Sequence, residues 1–317
     1  WSSDVCSSDL NNMKKIGLTA LAASLVSVSA NAVDISGGAS LSYNGGNGGA
    51  TGNPWSMNDG LTFTWGGELD NGMTVDLNFL LDSGDSAVGA GIDNRSLALG
   101  LNNGGTLTFW GDGGSGVVGS FDDKMPTAYE ESWYTADSPN QGHSTNNMFY
   151  YTHAVEAATV HASFTPAGTG QDASSLELGA VVTAVENLEL GFAIGEDNAS
   201  ATAVDNTIMY AKYTMGGATI GVQMNEADSA TTGDEDFTAA GISYAVSEDM
   251  SVSVGKSKIN YEAVGTKAQE ATGFSASYTM GSMTLAGTLN KIKNEGTAGS
   301  TGAGNSKTDS RDRKSVV

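Results

Sequence analysis

The chain has 317 residues, 36 Asp and Glu against 14 Lys and Arg, and a formal net charge of −22. That balance excludes nucleic-acid binding, which needs a basic surface to neutralise phosphate. One cysteine and three histidines exclude a disulfide scaffold and a Cys-rich zinc site, and 43 glycines with 16% charged residues point to a β-rich protein at the cell exterior.

In chain order, residues 1–12 read as a non-native leader, because Trp1–Leu10 back-translates into a short-read sequencing adapter. Cys6 falls within it. Residues 13–32 have the three parts of a secretory signal peptide: Lys14 and Lys15, the apolar stretch 16–30, and the small-residue site Ala30-Asn31-Ala32. The apolar run is too short for a membrane-spanning helix, and no later run is long enough. Asp312–Val317 also resembles adapter sequence, which leaves 33–311 as the mature part and its last strand missing. Setting aside Asp4, Asp9 and Asp312, and Lys14, Lys15, Arg313 and Lys314, leaves 33 acids against 10 bases.

From residue 33 on, short segments alternate with a period of two, as in Met73–Leu81, Leu188–Gly195 and Thr272–Met280. Alternation puts one face against an apolar medium and the other against a polar one. Fifteen strands are expected: 33–42, 59–69, 73–82, 93–101, 106–112, 146–153, 158–165, 175–185, 188–196, 206–215, 218–225, 237–246, 250–259, 271–280 and 283–293. Their connections alternate between two classes. Short ones, such as Asp70-Asn71-Gly72, Glu186-Asn187, Gly216-Gly217 and Gly281-Ser282, have hairpin-turn chemistry. Long ones are acidic or rich in Gly and Ser, and the longest is 113–145. Met73, Tyr213, Met215, Tyr244, Tyr278 and Met280 stand beside short turns, where an aromatic girdle would meet a membrane interface. These features favour an all-β, transmembrane, antiparallel up-and-down barrel. Such barrels in bacteria have an even strand count, so sixteen strands are expected, with about fifteen present.

Local patterns resemble the general bacterial porins of Gram-negative outer membranes. They are Gly66–Val75, the run Arg95–Leu101 followed by Gly104–Phe109, and Asn147–Tyr151. The resemblance implies a water-filled barrel, usually a homotrimer, embedded in outer-membrane lipid and lipopolysaccharide. It implies passive diffusion of small hydrophilic solutes and ions, with no enzyme activity and no cofactor or metal. It also implies that loop 113–145 folds inward as a constriction. Selectivity would then follow from fixed charge at the narrowest point. The loop supplies Asp122, Asp123, Glu130, Glu131 and Asp137 against Lys124. By strand parity Thr106, Thr108, Trp110 and Asp112 face the lumen, with Asp112 standing where relatives carry Arg. Asp76, Asn78, Glu177, Glu189 and Lys212 are further lumen candidates. Arg95 matches a wall arginine of the family yet shares its phase with Leu97 and Leu99. A β-bulge could re-aim it, or it could snorkel at the interface. The acidic loop and mature charge lead to an expected cation preference.

Two other readings stand beside this one. A secreted acidic surface or adhesin protein would share the alternation. An outer-membrane barrel hydrolase would need a nucleophile and base, for which Ser163 and His161 are the candidates, two residues apart on one face.

Overall fold

The computed structural model describes residues 33–46, 55–82, 91–132, 146–168, 173–198, 203–229, 233–262, 267–294 and 311–316. The leader and signal-peptide readings lie outside them. The strands are Asp34–Gly46 (β1), Trp55–Glu68 (β2), Thr74–Asp82 (β3), Gly91–Gly100 (β4), Gly105–Asp112 (β5), Met148–Val155 (β6), Ala158–Thr165 (β7) and Ser175–Val185 (β8). Leu188–Asp197 (β9), Val204–Met215 (β10), Ala218–Ser229 (β11), Glu235–Ala245 (β12), Met250–Tyr261 (β13), Gln269–Met280 (β14), Met283–Lys293 (β15) and Arg311–Val316 (β16) follow. Each strand pairs antiparallel with its neighbours in sequence, and β16 joins β15 to β1, closing a barrel of up-and-down topology.

Burial follows the pleat in an inverted sense. In β11, Ile220, Val222 and Met224 are exposed, whereas Gln223 and Asn225, in the opposite phase, are 1% and 3% exposed. The apolar residues point away from the barrel and the polar ones point in. A soluble sheet does the reverse; lipid as the outer solvent makes this the stable arrangement. The exposed girdle residues Tyr213, Met215, Tyr244, Tyr278 and Met280 flank the short turns. Positive φ at Gly72, Gly216 and Gly281 closes three of these turns. At two others Glu156 and Asn187 adopt it without the help of glycine.

The fifteen expected strands are β1 to β15, and a further short one, β16, is built partly from residues read as adapter-derived. It pairs with Tyr43–Gly46 of β1 and with Gly287–Ile292 of β15. Facing strand edges present rows of unpaired N–H and C=O groups, and a short extended segment can join them whatever its side chains. The longest connection contains a five-residue helix, Val117–Phe121 (α1), that period-two reading does not anticipate.

Outward-facing Val222 tests the membrane placement. Val222→Arg is expected to lower folding stability in lipid vesicles by about 2–4 kcal/mol, read from urea unfolding. Thr219→Arg, on the inner face of the same strand, is expected to lower it far less.

Candidate functional site

After β5 the chain turns inward. Gly113 has φ +63, its N–H donates to Asn146 Oδ1 at 3.3 Å, and its carbonyl accepts from Asn94 Nδ2 at 3.1 Å. Trp110 lies against Gly114. From there residues 114–132 run along the inner wall. Val117, Val118 and Phe121 of α1 pack on Ala193, Ile208 and Tyr210. Further on, Met125 packs on Phe237, Ala239, Ile259, Ala271 and Ile292. The lumen thus carries two apolar patches on β9–β15, and the inward segment covers both.

The wall beneath the segment is cut away. A side-chain carbon at Gly179 would press on Val117, at Gly195 on Val118, at Gly221 on Pro126, and at Gly273 on Ser132. Gly241 and Gly255 lie under the same stretch. These glycines form a groove that lets one backbone rest on another, the close approach that glycine alone permits.

Polar wall side chains then pair with the segment's backbone. Ser163 Oγ accepts from Val117 N at 3.0 Å, and Glu177 Oε2 accepts from Val118 N at 3.0 Å and from Ser163 Oγ at 2.8 Å. Gln223 Oε1 accepts from Lys124 N at 2.9 Å while its Nε2 donates to Asp122 O. Ser253 Oγ accepts from Ala128 N at 2.9 Å and Ser275 Oγ from Tyr129 N at 3.2 Å. Asn290 Nδ2 donates to Glu131 O at 3.2 Å. Of these anchors, sequence reading singled out only Glu177 as a lumen residue. Ser163, the candidate nucleophile of the hydrolase reading, serves as an anchor. His161 Nδ1 instead meets Tyr150 OH at 3.1 Å. The signal that could have found Gln223 and Asn290 was their place in the inward phase of apolar strands.

The segment brings its acids together. Asp123 and Glu131 share a hydrogen bond, with Asp122 and Glu130 close enough to repel the pair. Burial, reinforced by Asp123, pushes Asp122 up to about 7, Glu130 up to about 7 and Glu131 up to about 8. Asp123 is also raised, by burial. Burial lowers Lys124 from its ordinary value, and the field of Lys212 adds to it. Asp137 lies outside the described residues.

On the wall, Asp76 lines a recess of about 500 Å³ with Asp34, Asn78 and Ser96. Lys212 binds Glu189 at 2.9 Å, and Tyr210 OH donates to the same carboxylate at 2.9 Å. The parity argument for Asp112 is corrected. The β4–β5 register pairs Ser96 with Trp110 but Arg95 with Asp112, so Gly111 is an extra residue. Such a bulge throws the following residue out of phase. Asp112 therefore leaves the phase of Trp110 and shares a rung with Arg95, which on its other side pairs with Phe79. Arg95 is exposed, lies over Gly111 and donates to its carbonyl at 3.5 Å. The bulge sets Asp112 on one rung with Arg95 and does not turn Arg95 inward.

The family model for Gram-negative porins matches residues 17–312. The chain belongs to the Gram-negative porins. This porin is a channel protein of the outer membrane, not an enzyme. Its fold is similar to that of a variant of the Rhodopseudomonas blastica porin, at 14% identity, covering 90% of this chain and 99% of that one with a TM-score of 0.64. OmpT of Vibrio cholerae is similar at 14% identity over 92% and 98% of the two chains, with a TM-score of 0.62. So is an anion-selective porin from Comamonas acidovorans, at 14% identity over 90% and 98%, with a TM-score of 0.63. No curated protein sequence matches the porin.

The glycine groove is testable by proteolysis, because Lys124 is the one Lys or Arg between Arg95 and Lys212. The folded porin is expected to resist trypsin at Lys124. Gly273→Leu is expected to dislodge the segment and allow a cut there, giving two fragments on a denaturing gel.

Proposed function

We propose that the porin forms a water-filled channel for passive diffusion of small hydrophilic solutes and ions, that it prefers cations, and that the loop after β5 is its constriction. Asp122, Asp123, Glu130 and Glu131 supply the constriction's negative charge. Asp137 adds to it, and Lys124 tempers it. Trp110 narrows the passage at the start of the loop, and Asp76 and Lys212 are the wall charges. Arg95 and Asp112 are left out, since the bulge at Gly111 takes Asp112 out of the phase of Trp110 and Arg95 stays exposed. The chain is exported by a cleaved signal peptide and works as a homotrimer among lipid and lipopolysaccharide.

The observation that carries this reading is the gathering of four carboxyl groups on a segment that lies inside the barrel. A fixed negative field there raises the local concentration of cations and repels anions. Asp34 and Asp76, around the wall recess on β1–β4, add the same sign. The anion preference of the Comamonas acidovorans porin does not extend to this chain at 14% identity, because selectivity depends on side chains that such distance does not preserve.

The measurement is the reversal potential in a KCl gradient across a planar bilayer. Its sign is expected to be that of a cation-preferring pore, and anion preference would overturn the reading. The preference is also expected to depend on pH. Asp122 and Glu130 lose their protons near pH 7 and Glu131 near pH 8. Negative charge therefore accumulates as pH rises, and cation preference is expected to grow between about pH 6 and 9, the range spanned by one unit either side of those midpoints. The combined variant Asp122→Asn, Glu130→Gln, Glu131→Gln is expected to flatten that rise.

A further inference from the structure

The outer face of the last long strands carries an exception to its apolar character. In β13, Ser257 and Ile259 are buried on the inner side, which puts Lys256 and Lys258 in the outward phase of Val252 and Val254. In β15, Asn290 and Ile292 are buried, which puts Lys291 and Lys293 in the outward phase of Leu285 and Leu289. The register gathers all four. Lys256 and Lys291 flank Thr272 on one rung, and Lys258 and Lys293 flank Glu270 on the next. Lys293 holds Glu270 at 3.2 Å, and Lys256 and Lys258 lie in the field of the same carboxylate. Four ammonium groups against one carboxylate leave an excess of three positive charges on these two rungs.

Other charges stand beyond the patch. On the β16 side the register sets Asp312 beside Lys291 and Lys314 beside Leu289, one of each sign. Towards the loops, Asp236 is opposite Asn260, one rung past Lys258, and Glu262 follows the end of β13. The same rim on β10–β12 turns Asp205, Glu226, Asp228 and Asp236 outward. The basic excess therefore belongs to β13–β15 and is not a property of the whole rim.

The strand fixes the depth of the patch. Thr272 is eight residues along β14 from Met280 at the short turn, with Phe274, Ala276 and Tyr278 at the outward positions between. Eight residues at about 3.4 Å each, tilted by about 40°, rise about 20 Å. The apolar band of such barrels is about 25 Å tall, and their long loops lie outside the cell. The two lysine rungs thus fall where the hydrocarbon of the outer leaflet gives way to headgroups. There the lysine stems can lie along acyl chains while the ammonium groups reach the interface. A phosphate at that level offers concentrated negative charge and several acceptor oxygens to neighbouring ammonium groups.

We propose that the outward face of β13–β15 binds the phosphate of a phosphorylated lipid in the outer leaflet, with Lys256, Lys258 and Lys291 contacting it and the Lys293–Glu270 pair at its edge. The inference rests on the outer-membrane placement of the barrel and not on the ionic preference of its lumen.

The test titrates the full chain in detergent with diphosphoryl lipid A and counts lipid adducts by native mass spectrometry. EDTA is present, so that no divalent cation bridges phosphate to the acids of β10–β12. One saturable adduct per chain is expected, and dephosphorylated lipid A is expected to bind at least tenfold more weakly. Lys256→Gln with Lys291→Gln is expected to weaken lipid A binding about tenfold or more, since each lysine near an anionic lipid surface contributes roughly fivefold. Lys256→Arg with Lys291→Arg is expected to stay near the wild type, and Lys258→Gln alone is expected to lose about fivefold. Equal binding of the dephosphorylated lipid, unsaturable binding, or no loss in the glutamine variants would overturn the site. Displacement of lipid A by an equal concentration of inorganic phosphate would overturn the lipid as its occupant. KCl current through the same proteins in planar bilayers reports the lumen separately. Its absence throughout would overturn the channel reading and leave the lipid result standing.

Discussion

Every polar group of a backbone removed from water needs a partner, and in this protein that demand acts twice. In hydrocarbon an unpaired N–H or C=O costs several kcal/mol, about as much as a stable hydrogen bond in an apolar medium returns. The sheet meets the demand by closing from β1 to β16. Closure creates an interior, and the chain sends part of itself into it. There the demand recurs, because residues 114–132 have no strand to pair with. Side chains of the wall take the place of a ladder. Ser163, Glu177, Gln223, Ser253, Ser275 and Asn290 each bond a backbone N–H or C=O of the segment.

Apolar packing and charge then divide the lumen. Two apolar patches, one under α1 and one under Met125, hold the segment by excluding water. The acids are drawn into partial burial along with the backbone that carries them, which is why their proton affinities rise into the neutral range. Positioning and electrostatics are therefore linked: the contacts that keep the segment in place also set the pH at which its charge appears.

Much of the barrel was legible in the sequence because a period of two is local. The strand positions from β3 to β15 follow directly from residues such as Leu188, Leu190, Phe192 and Ile194 taking one face. The inward segment was legible as the longest connection, and its acids as the charges it carries. Other features depend on contacts between distant residues. Ile208 and Tyr210 flank Met209, so the alternation blurs there; only α1, about 90 residues earlier in sequence, explains why apolar groups face the lumen. The glycines at 179, 195, 221 and 273 looked like an unremarkable small-residue face until a chain was laid across them. One extra residue at Gly111 undoes parity for Asp112, and no composition rule locates a bulge. The pairing of Asp123 with Glu131 depends on how the segment doubles back, which the sequence between them does not specify.

The attachment of the segment is indifferent to what the segment's own charged residues are. Wall groups hold the amides of Val117, Val118, Lys124, Ala128 and Tyr129 and the carbonyls of Asp122 and Glu131. None of these seven bonds involves a loop side chain. Mutation can therefore reverse or erase charges at positions 122, 124, 130 and 131 without removing an anchor. The architecture separates inheritance of shape from inheritance of ionic preference, so descendants of one barrel can diversify in what they admit while folding by the same rules.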